Sequence, residues 1–136
     1  MSDLAANKQV VAVINAVLSG ERPAEALDDI ISDDFKDHAA FPGQRPGRDG
    51  FKDGVEKLRA AFDQRVRSLH AVAEGNLVID HWVSEGLHRG AFFGMAATGK
   101  NIRVEGFSVW RINHGRAEEA WGLVDVAGLM RQLSNR

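Results

Sequence analysis

Asp125 is the residue of this chain with the clearest chemical prospect. It closes the run Glu119-Ala120-Trp121-Gly122-Leu123-Val124-Asp125 and stands directly before Val126-Ala127-Gly128-Leu129-Met130-Arg131-Gln132-Leu133, an amphipathic helical pattern. In an extended segment alternate side chains share a face, so Glu119, Trp121, Leu123 and Asp125 are expected to point together. A carboxyl beside an indole and an aliphatic wall is suited to moving protons as a general acid or base. The competing role is a helix N-cap, in which the carboxylate accepts hydrogen bonds from the first helical N–H groups. Spacing alone favours the cap.

Other residues could supply a pocket around such a carboxyl. His88 shares strand parity with Trp82, Ser84 and Gly86, and on a concave face it would line the pocket and polarise a carbonyl or orient Asp125. The bland reading is a hydrogen-bonded structural histidine near a strand end. His81 has the opposite parity, and His70 and His114 belong to no motif. Trp82, Trp110 and Trp121 can form flat apolar walls for a polycyclic or aromatic ligand, against the alternative of core packing. The histidines and carboxylates show no HExxH, His-x-His or other local metal-ligand spacing. Ser68, Ser84 and Ser108 lack a nucleophile elbow, and the glycines from Gly43 to Gly50 match neither a P-loop nor a dinucleotide fingerprint.

The composition narrows the partners. The chain has 136 residues, enough for one domain with a single core. With 17 basic against 19 acidic residues there is no broad positive field for a phosphate backbone, so nucleic acid is not expected as a partner. The absence of cysteine excludes disulfides, thiolate metal sites and cysteine nucleophiles. Met1-Ser2-Asp3-Leu4 lacks the start of a signal peptide and no apolar run reaches membrane-spanning length, so a cytoplasmic protein without membrane contact is expected.

Elements follow from periodicity. Leu4, Val10, Val11, Val13, Ile14, Val17 and Leu18 form the buried stripe of a first helix, with Asn7, Lys8, Gln9 and Asn15 between them and Ser19-Gly20 at its end. Pro23 opens a second short helix burying Leu27, Ile30 and Ile31, and Phe35 to Phe41 reads as extended. The segment from Phe41 to Gly50 is a Pro/Gly-dense surface loop. Phe51, Val55, Leu58 and Phe62 then mark the clearest helix. From Val66 the texture turns β-branched and aromatic: Val66 to Ala73, Leu77 to Arg89, Ile102 to Ile112 and Arg116 to Val124, divided by turn signals. Helices followed by a meander indicate an α+β domain with antiparallel strands.

The order of these elements, the run Val72-Ala73-Glu74-Gly75-Asn76, and Gly86-Leu87-His88-Arg89-Gly90 followed by Phe93-Gly94 and Thr98-Gly99-Lys100 resemble the SnoaL-like polyketide cyclases. The tail with Glu119, Trp121, Asp125 and Gly128-Leu129-Met130-Arg131-Gln132-Leu133 is similar to the end of those proteins, so the match runs from about Phe35 to Leu133. The resemblance implies an NTF2-like cone: N-terminal helices packed in a curved antiparallel sheet, a short C-terminal helix, and a ligand pocket at the open end. It implies that Asp125 is the acid/base of an intramolecular aldol-type closure, with neither metal nor organic cofactor. His38, after the acidic segment Asp33-Asp34-Phe35-Lys36-Asp37, is implied at the pocket mouth, against the alternative of a simple loop histidine.

Two positions depart from the family pattern. Trp110 stands where catalytic members carry an assisting histidine, and an indole donates one hydrogen bond without shuttling protons. Ala96-Ala97 stands where relatives often carry proline before Thr-Gly. With the resemblance, the expected function is cofactor-independent acid/base catalysis on a hydrophobic carbonyl substrate, using Asp125, His88 and His38 as catalytic residues and Trp82, Trp110 and Trp121 as walls. The alternatives are a non-catalytic small-molecule binder of the same fold, or an isomerase, dehydratase or epoxide hydrolase on that scaffold. A homodimer is expected, because an open sheet leaves Phe107 and Val109 on its outer face.

Overall fold

The computed structural model describes residues 3–134; Met1 and Ser2 of the leader reading lie outside the described residues. Helix α1 spans Leu4–Leu18 and is followed by a 3-10 turn at Ala24–Leu27, strand β1 at Ile31–Asp37 and helix α2 at Gly47–Ala61. Strands β2 (Phe62–Glu74), β3 (Leu77–His88), β4 (Asn101–Asn113) and β5 (Arg116–Val124) form the meander, and α3 covers Val126–Ser134. No helix among the described residues is long and apolar enough to cross a membrane.

Local chemistry accounts for most of these boundaries. Asp3 caps α1 by accepting from the Ala6 N–H, and at the other end the Ser19 hydroxyl donates to the Asn15 carbonyl. The buried stripe of α1 is Asn7, Val10, Val11, Ile14, Asn15 and Val17, so two asparagines belong to the packed face and do not merely space it. The expected second helix is only the 3-10 turn: Ile31 begins β1, which hydrogen-bonds to the strand that ends the meander. Phe62 caps α2 in extended geometry (φ −134°, ψ 135°) and starts β2, so the apolar i, i+3, i+4 series runs one residue past the helix.

The five strands lie in the order β1-β5-β4-β3-β2. The pairs β2/β3, β3/β4 and β4/β5 are antiparallel, but β1 pairs with β5 in parallel. This corrects the expectation of a purely antiparallel sheet. A parallel partner needs a long crossover, and α2 with the meander supplies it, so no turn signal near β1 could announce it. The sheet is mixed and curved, and with the helices it makes the α+β NTF2-like cone.

Helix α1 packs on β2 and β3, α2 on β1, and α3 on β4. The even-numbered residues of β3 and β4 face inward, including Val78, Asp80, Trp82, Ser84, Val104, Ser108 and Trp110. Their odd-numbered neighbours, such as Ile79, His81 and Phe107, face outward. Two apolar clusters fill the cone. One is built around Val11, Ile14, Val17, Phe35, Trp110 and Ile112; the other around Phe62, Phe92, Ile102, Val104, Leu129 and Leu133.

Candidate functional site

A cavity of about 560 Å³ is lined by members of both clusters. Phe51, Val55, Trp110 and Ala120 come from one, and Phe62, Phe92, Ile102, Val104 and Leu129 from the other. Trp82, Trp110 and Trp121 all line it. Trp110 is also core, 6% exposed and stacked on Phe35 with ring centroids 6.0 Å apart. Trp82 lies across the glycine backbone at Gly106, where any Cβ would run into its indole. The loop after β1 and the Phe92-Phe93 turn close one side of the mouth, with Phe41 edge-on to both phenylalanine rings.

The polar groups of the lining are few, and each Asn, Asp, Gln and Ser side chain among them makes at least one hydrogen bond within the protein. The Trp82 indole N–H donates to the Ser108 hydroxyl at 3.1 Å. The Ser84 hydroxyl donates to Gln64 Oε1 at 2.7 Å, and the Asn15 amide donates to Asp80 at 3.0 Å. Asp37 is the one charged side chain in the lining. Its Oδ1 accepts from the Ala39 N–H at 2.9 Å and its Oδ2 from the Gln44 amide at 3.1 Å. Gly122 lies between this loop and the sheet: a Cβ there would be 3.2 Å from Ala39 Cβ and 3.7 Å from Ser108 Oγ.

Asp125 occupies a different setting. It follows the last residue of β5, is exposed, and is absent from the lining, although Val124 and Val126 on either side belong to it. Its Oδ1 accepts from the Gly128 N–H at 2.9 Å, which is N-cap geometry for α3. Of the two roles read from the sequence, the coordinates display the cap.

His88 has the inward parity of Trp82 and Ser84 but sits beyond the cavity. It is fully buried, its ring centroid is 5.1 Å from that of Phe62, and Nδ1 accepts from the Thr98 N–H at 3.2 Å. With Nδ1 accepting, Nε2 carries the proton, and it has no partner among the described residues. The fold thus turns His88 into a tie between β3 and the loop before β4.

His38 sits outside the lining at the sheet edge, bonded through Nε2 to Glu119 at 2.6 Å and stacked on Trp121 with centroids 5.1 Å apart. Arg111 pairs with the other oxygen of Glu119 and lies over the Trp121 ring. The Glu119 carboxyl is held below its usual range, first by the His38 hydrogen bond and then by the charges of Arg111, His38 and Lys36, against an opposing desolvation cost. Glu119 and Trp121 do share a face, as their spacing requires, and Trp121 belongs to the cavity lining.

Asn15, Asp37 and Gln64 escaped notice in the sequence. Asn15 read as a spacer in an apolar helix, and Asp37 as one of several acids before His38. Ser108 reads in the sequence only as a nucleophile candidate and Ser84 as that and a face-mate of His88, whereas both serve as hydrogen-bonding groups of the wall. One signal was available: Ser108 alternates with Gly106 and Trp110, so strand parity assigns it to the face of the tryptophan. Among the described residues no group of three histidines or carboxylates is placed to hold a metal ion.

The model of one family, the SnoaL-like polyketide cyclases, matches residues 8–133. The chain belongs to that family. Among solved structures, a proposed polyketide cyclase of this SnoaL-like fold from Acidithiobacillus ferrooxidans is 27% identical, with 98% of this chain and 97% of that one covered and a TM-score of 0.81. IdmH of Streptomyces antibioticus, named as a polyketide cyclase by proposal, is 24% identical over 93% of this chain and 97% of its own, with a TM-score of 0.81. TsrD of Streptomyces laurentii superposes over the full length of both chains with a TM-score of 0.90 at 20% identity. The last two likenesses bear on the fold alone. A search of curated protein sequences returns no match. The SnoaL-like assignment therefore fixes the family and the scaffold.

Proposed function

We propose that this SnoaL-like protein takes a hydrophobic, carbonyl-bearing small molecule into its cavity and performs cofactor-independent acid–base chemistry on it, with intramolecular aldol-type ring closure as the leading case. The observation that carries this reading is the composition of the wall: three tryptophans and aliphatic side chains around about 560 Å³, with Asp37 as the single carboxylate. Closure needs a base to take the proton from a carbon between two carbonyls and an acid to protonate the alkoxide that forms. Asp37 is the group of the lining that can do both, because its carboxylate still has unused lone pairs after the Ala39 and Gln44 bonds. The Ser108 hydroxyl, whose oxygen already accepts the Trp82 N–H, turns its own proton to the carbonyl oxygen where negative charge develops.

In this reading Asp125 fixes α3 against the mouth, and His38 acts through Glu119 to hold the Trp121 wall. The test is turnover of a linear aromatic poly-β-ketone methyl ester, with cyclised product followed by mass-resolved chromatography. Asp37→Asn is expected to lower turnover by about 100-fold or more while binding persists; Asp125→Asn is expected to keep turnover. Undiminished turnover in Asp37→Asn rejects the role.

A non-catalytic binder is the second reading. Its support is that both oxygens of Asp37 already serve the loop and Asp125 already serves a helix. It predicts saturable binding of the same ester with no product in any variant. In either case we propose a homodimer formed through the outer face of the sheet.

A further inference from the structure

Asn15 reaches the cavity from the buried face of α1. Its Nδ2 donates to Oδ2 of Asp80 at 3.0 Å and lies 3.5 Å from the Ser68 hydroxyl. Asp80 is 1% exposed, yet its other oxygen has no hydrogen-bond partner among the described residues. A carboxylate oxygen accepts and does not donate, so the end of the Asn15 amide turned toward Asp80 has to be the nitrogen. The amide oxygen is at the other end of the planar group and has no donor among the described residues, in a side chain that lines the cavity.

Across the sheet, Ser108 shows the opposite polarity. It is the antiparallel partner of Asp80 in the β3/β4 register, and Trp82 lies two residues further along the same face. Directly opposed residues have Cβ atoms about 5 Å apart. The Ser108 oxygen accepts the Trp82 N–H at 3.1 Å, and its own O–H has no acceptor among the described residues. An acceptor and a donor without protein partners among the described residues are thus linked through Asp80, which bonds Asn15 and faces Ser108 across the strands, at the inner end of the cavity. Asn15 and Ser108 both line the cavity, so a ligand there meets an acceptor and a donor whose hydrogen-bonding capacity the protein does not use.

We propose that this inner end recognises ligands carrying an O–H or N–H group next to a carbonyl, such as an enolised β-dicarbonyl or a cis lactam. The ligand O–H or N–H donates to Asn15 Oδ1, and the ligand carbonyl accepts from the Ser108 hydroxyl. Asp80 is a positioning residue: it touches no ligand atom and decides which end of the Asn15 amide is presented. This deepens the reading of the cavity as a ligand pocket and rests on it.

The test compares 2-quinolone, which has an N–H beside its carbonyl, with N-methyl-2-quinolone and naphthalene, by NMR titration of the indole N–H resonances of Trp82, Trp110 and Trp121. The wild-type protein is expected to bind 2-quinolone about fivefold or more tighter than its N-methyl analogue, the worth of one neutral hydrogen bond. In Asn15→Leu the two quinolones converge to within about twofold while naphthalene binding is retained. Ser108→Ala weakens both quinolones by a similar factor and keeps the preference, which reads the site even if the Asn15 variant does not fold. Asp80→Asn lets the Asn15 amide turn either way and leaves an intermediate preference; a full preference in this variant overturns the positioning role. Naphthalene binding with no preference between the quinolones, or a preference that survives Asn15→Leu, overturns the inference and leaves the pocket reading standing. Failure of all three compounds to shift any indole resonance overturns both.

Discussion

The Oδ1 of Asp125 accepts a hydrogen bond from the backbone N–H of Gly128 at 2.9 Å, and the same glycine makes room for the other oxygen, because a Cβ at 128 would collide with Oδ2. The two residues form one device. Gly128 costs α3 some intrinsic helix propensity, and in exchange the carboxylate lies flat over the first turn of a helix whose Leu129 and Leu133 are core.

Asp125→Ala is accordingly expected to lower unfolding stability by about 1 kcal/mol, the usual worth of an N-cap. Gly128→Ala should also destabilise, against the trend for glycine-to-alanine changes inside helices, because the new methyl displaces the cap. Asp125→Asn should behave like wild type, since asparagine caps as well as aspartate. Urea denaturation of the three variants checks this, and a stabilised Gly128→Ala protein would contradict the shared geometry.

Gly106 is the floor beneath the Trp82 ring, and an added methyl would strike both the indole and the Leu123 carbonyl. Gly106→Ala is predicted to cost about 1–3 kcal/mol as an overpacked site and to break the Trp82–Ser108 hydrogen bond. The Trp82 indole N–H resonance should move to the position of an unbonded indole. A resonance that stays in place would show that the ring has another way to settle.

Acid sensitivity should come in part from the outer face. Glu119 is held below its usual range mainly by its hydrogen bond to His38, and Glu105 mainly by Arg103 with His81 second. A carboxyl whose folded pKa is depressed adds stability above its unfolded value, and that stability is lost as pH falls through the folded value. The destabilisation caused by His38→Ala should therefore be larger at pH 7 than at an acid pH below the lowered folded value of Glu119, where the carboxyl is protonated in both states. Thermal unfolding of both proteins at the two pH values measures the difference; an equal difference at both would remove the His38–Glu119 bond as its source.

The proposed homodimer is tested on the outward face of β3, β4 and β5. Phe107 is 53% exposed and Leu123 78%, with Ile79 beside them at 45%. Phe107 and Leu123 are direct cross-strand partners and so form one apolar patch. Phe107→Lys with Leu123→Glu is expected to convert a dimer into a monomer in sedimentation equilibrium without loss of the fold. A wild-type chain that stays monomeric at 100 micromolar, roughly 10-fold above a 10 micromolar dissociation constant, would reject the dimer.

Strand parity was legible wherever the alternation ran unbroken: Trp82 with Ser84, His81 opposite them, and Glu119 with Trp121. The limits of β5 were also readable, since Gly115 and the helical pattern after Asp125 bracket it. The parallel pairing of β1 with β5 was not, because it depends on a crossover of some eighty residues. His88 followed the parity rule and still left the pocket. Parity gives a side chain's direction, while the depth of the cavity along that face depends on packing: Phe62 lies against the His88 ring and Phe92 against Phe62.

The sequence by itself determined the scaffold, because periodicities, turn residues and family pattern are local properties that survive without coordinates. It also named both roles of Asp125. Only the tertiary structure showed the Asp125–Gly128 hydrogen bond and brought Asp37 into the cavity lining. Those depend on where a strand ends relative to a helix, and on how a loop 80 residues away in sequence folds back against Gly122. The polarity of the inner wall belongs to the same class. Asn15, Asp80 and Ser108 are far apart in the chain, and their donors and acceptors acquire a meaning for a ligand only once α1 is laid across β3 and β4.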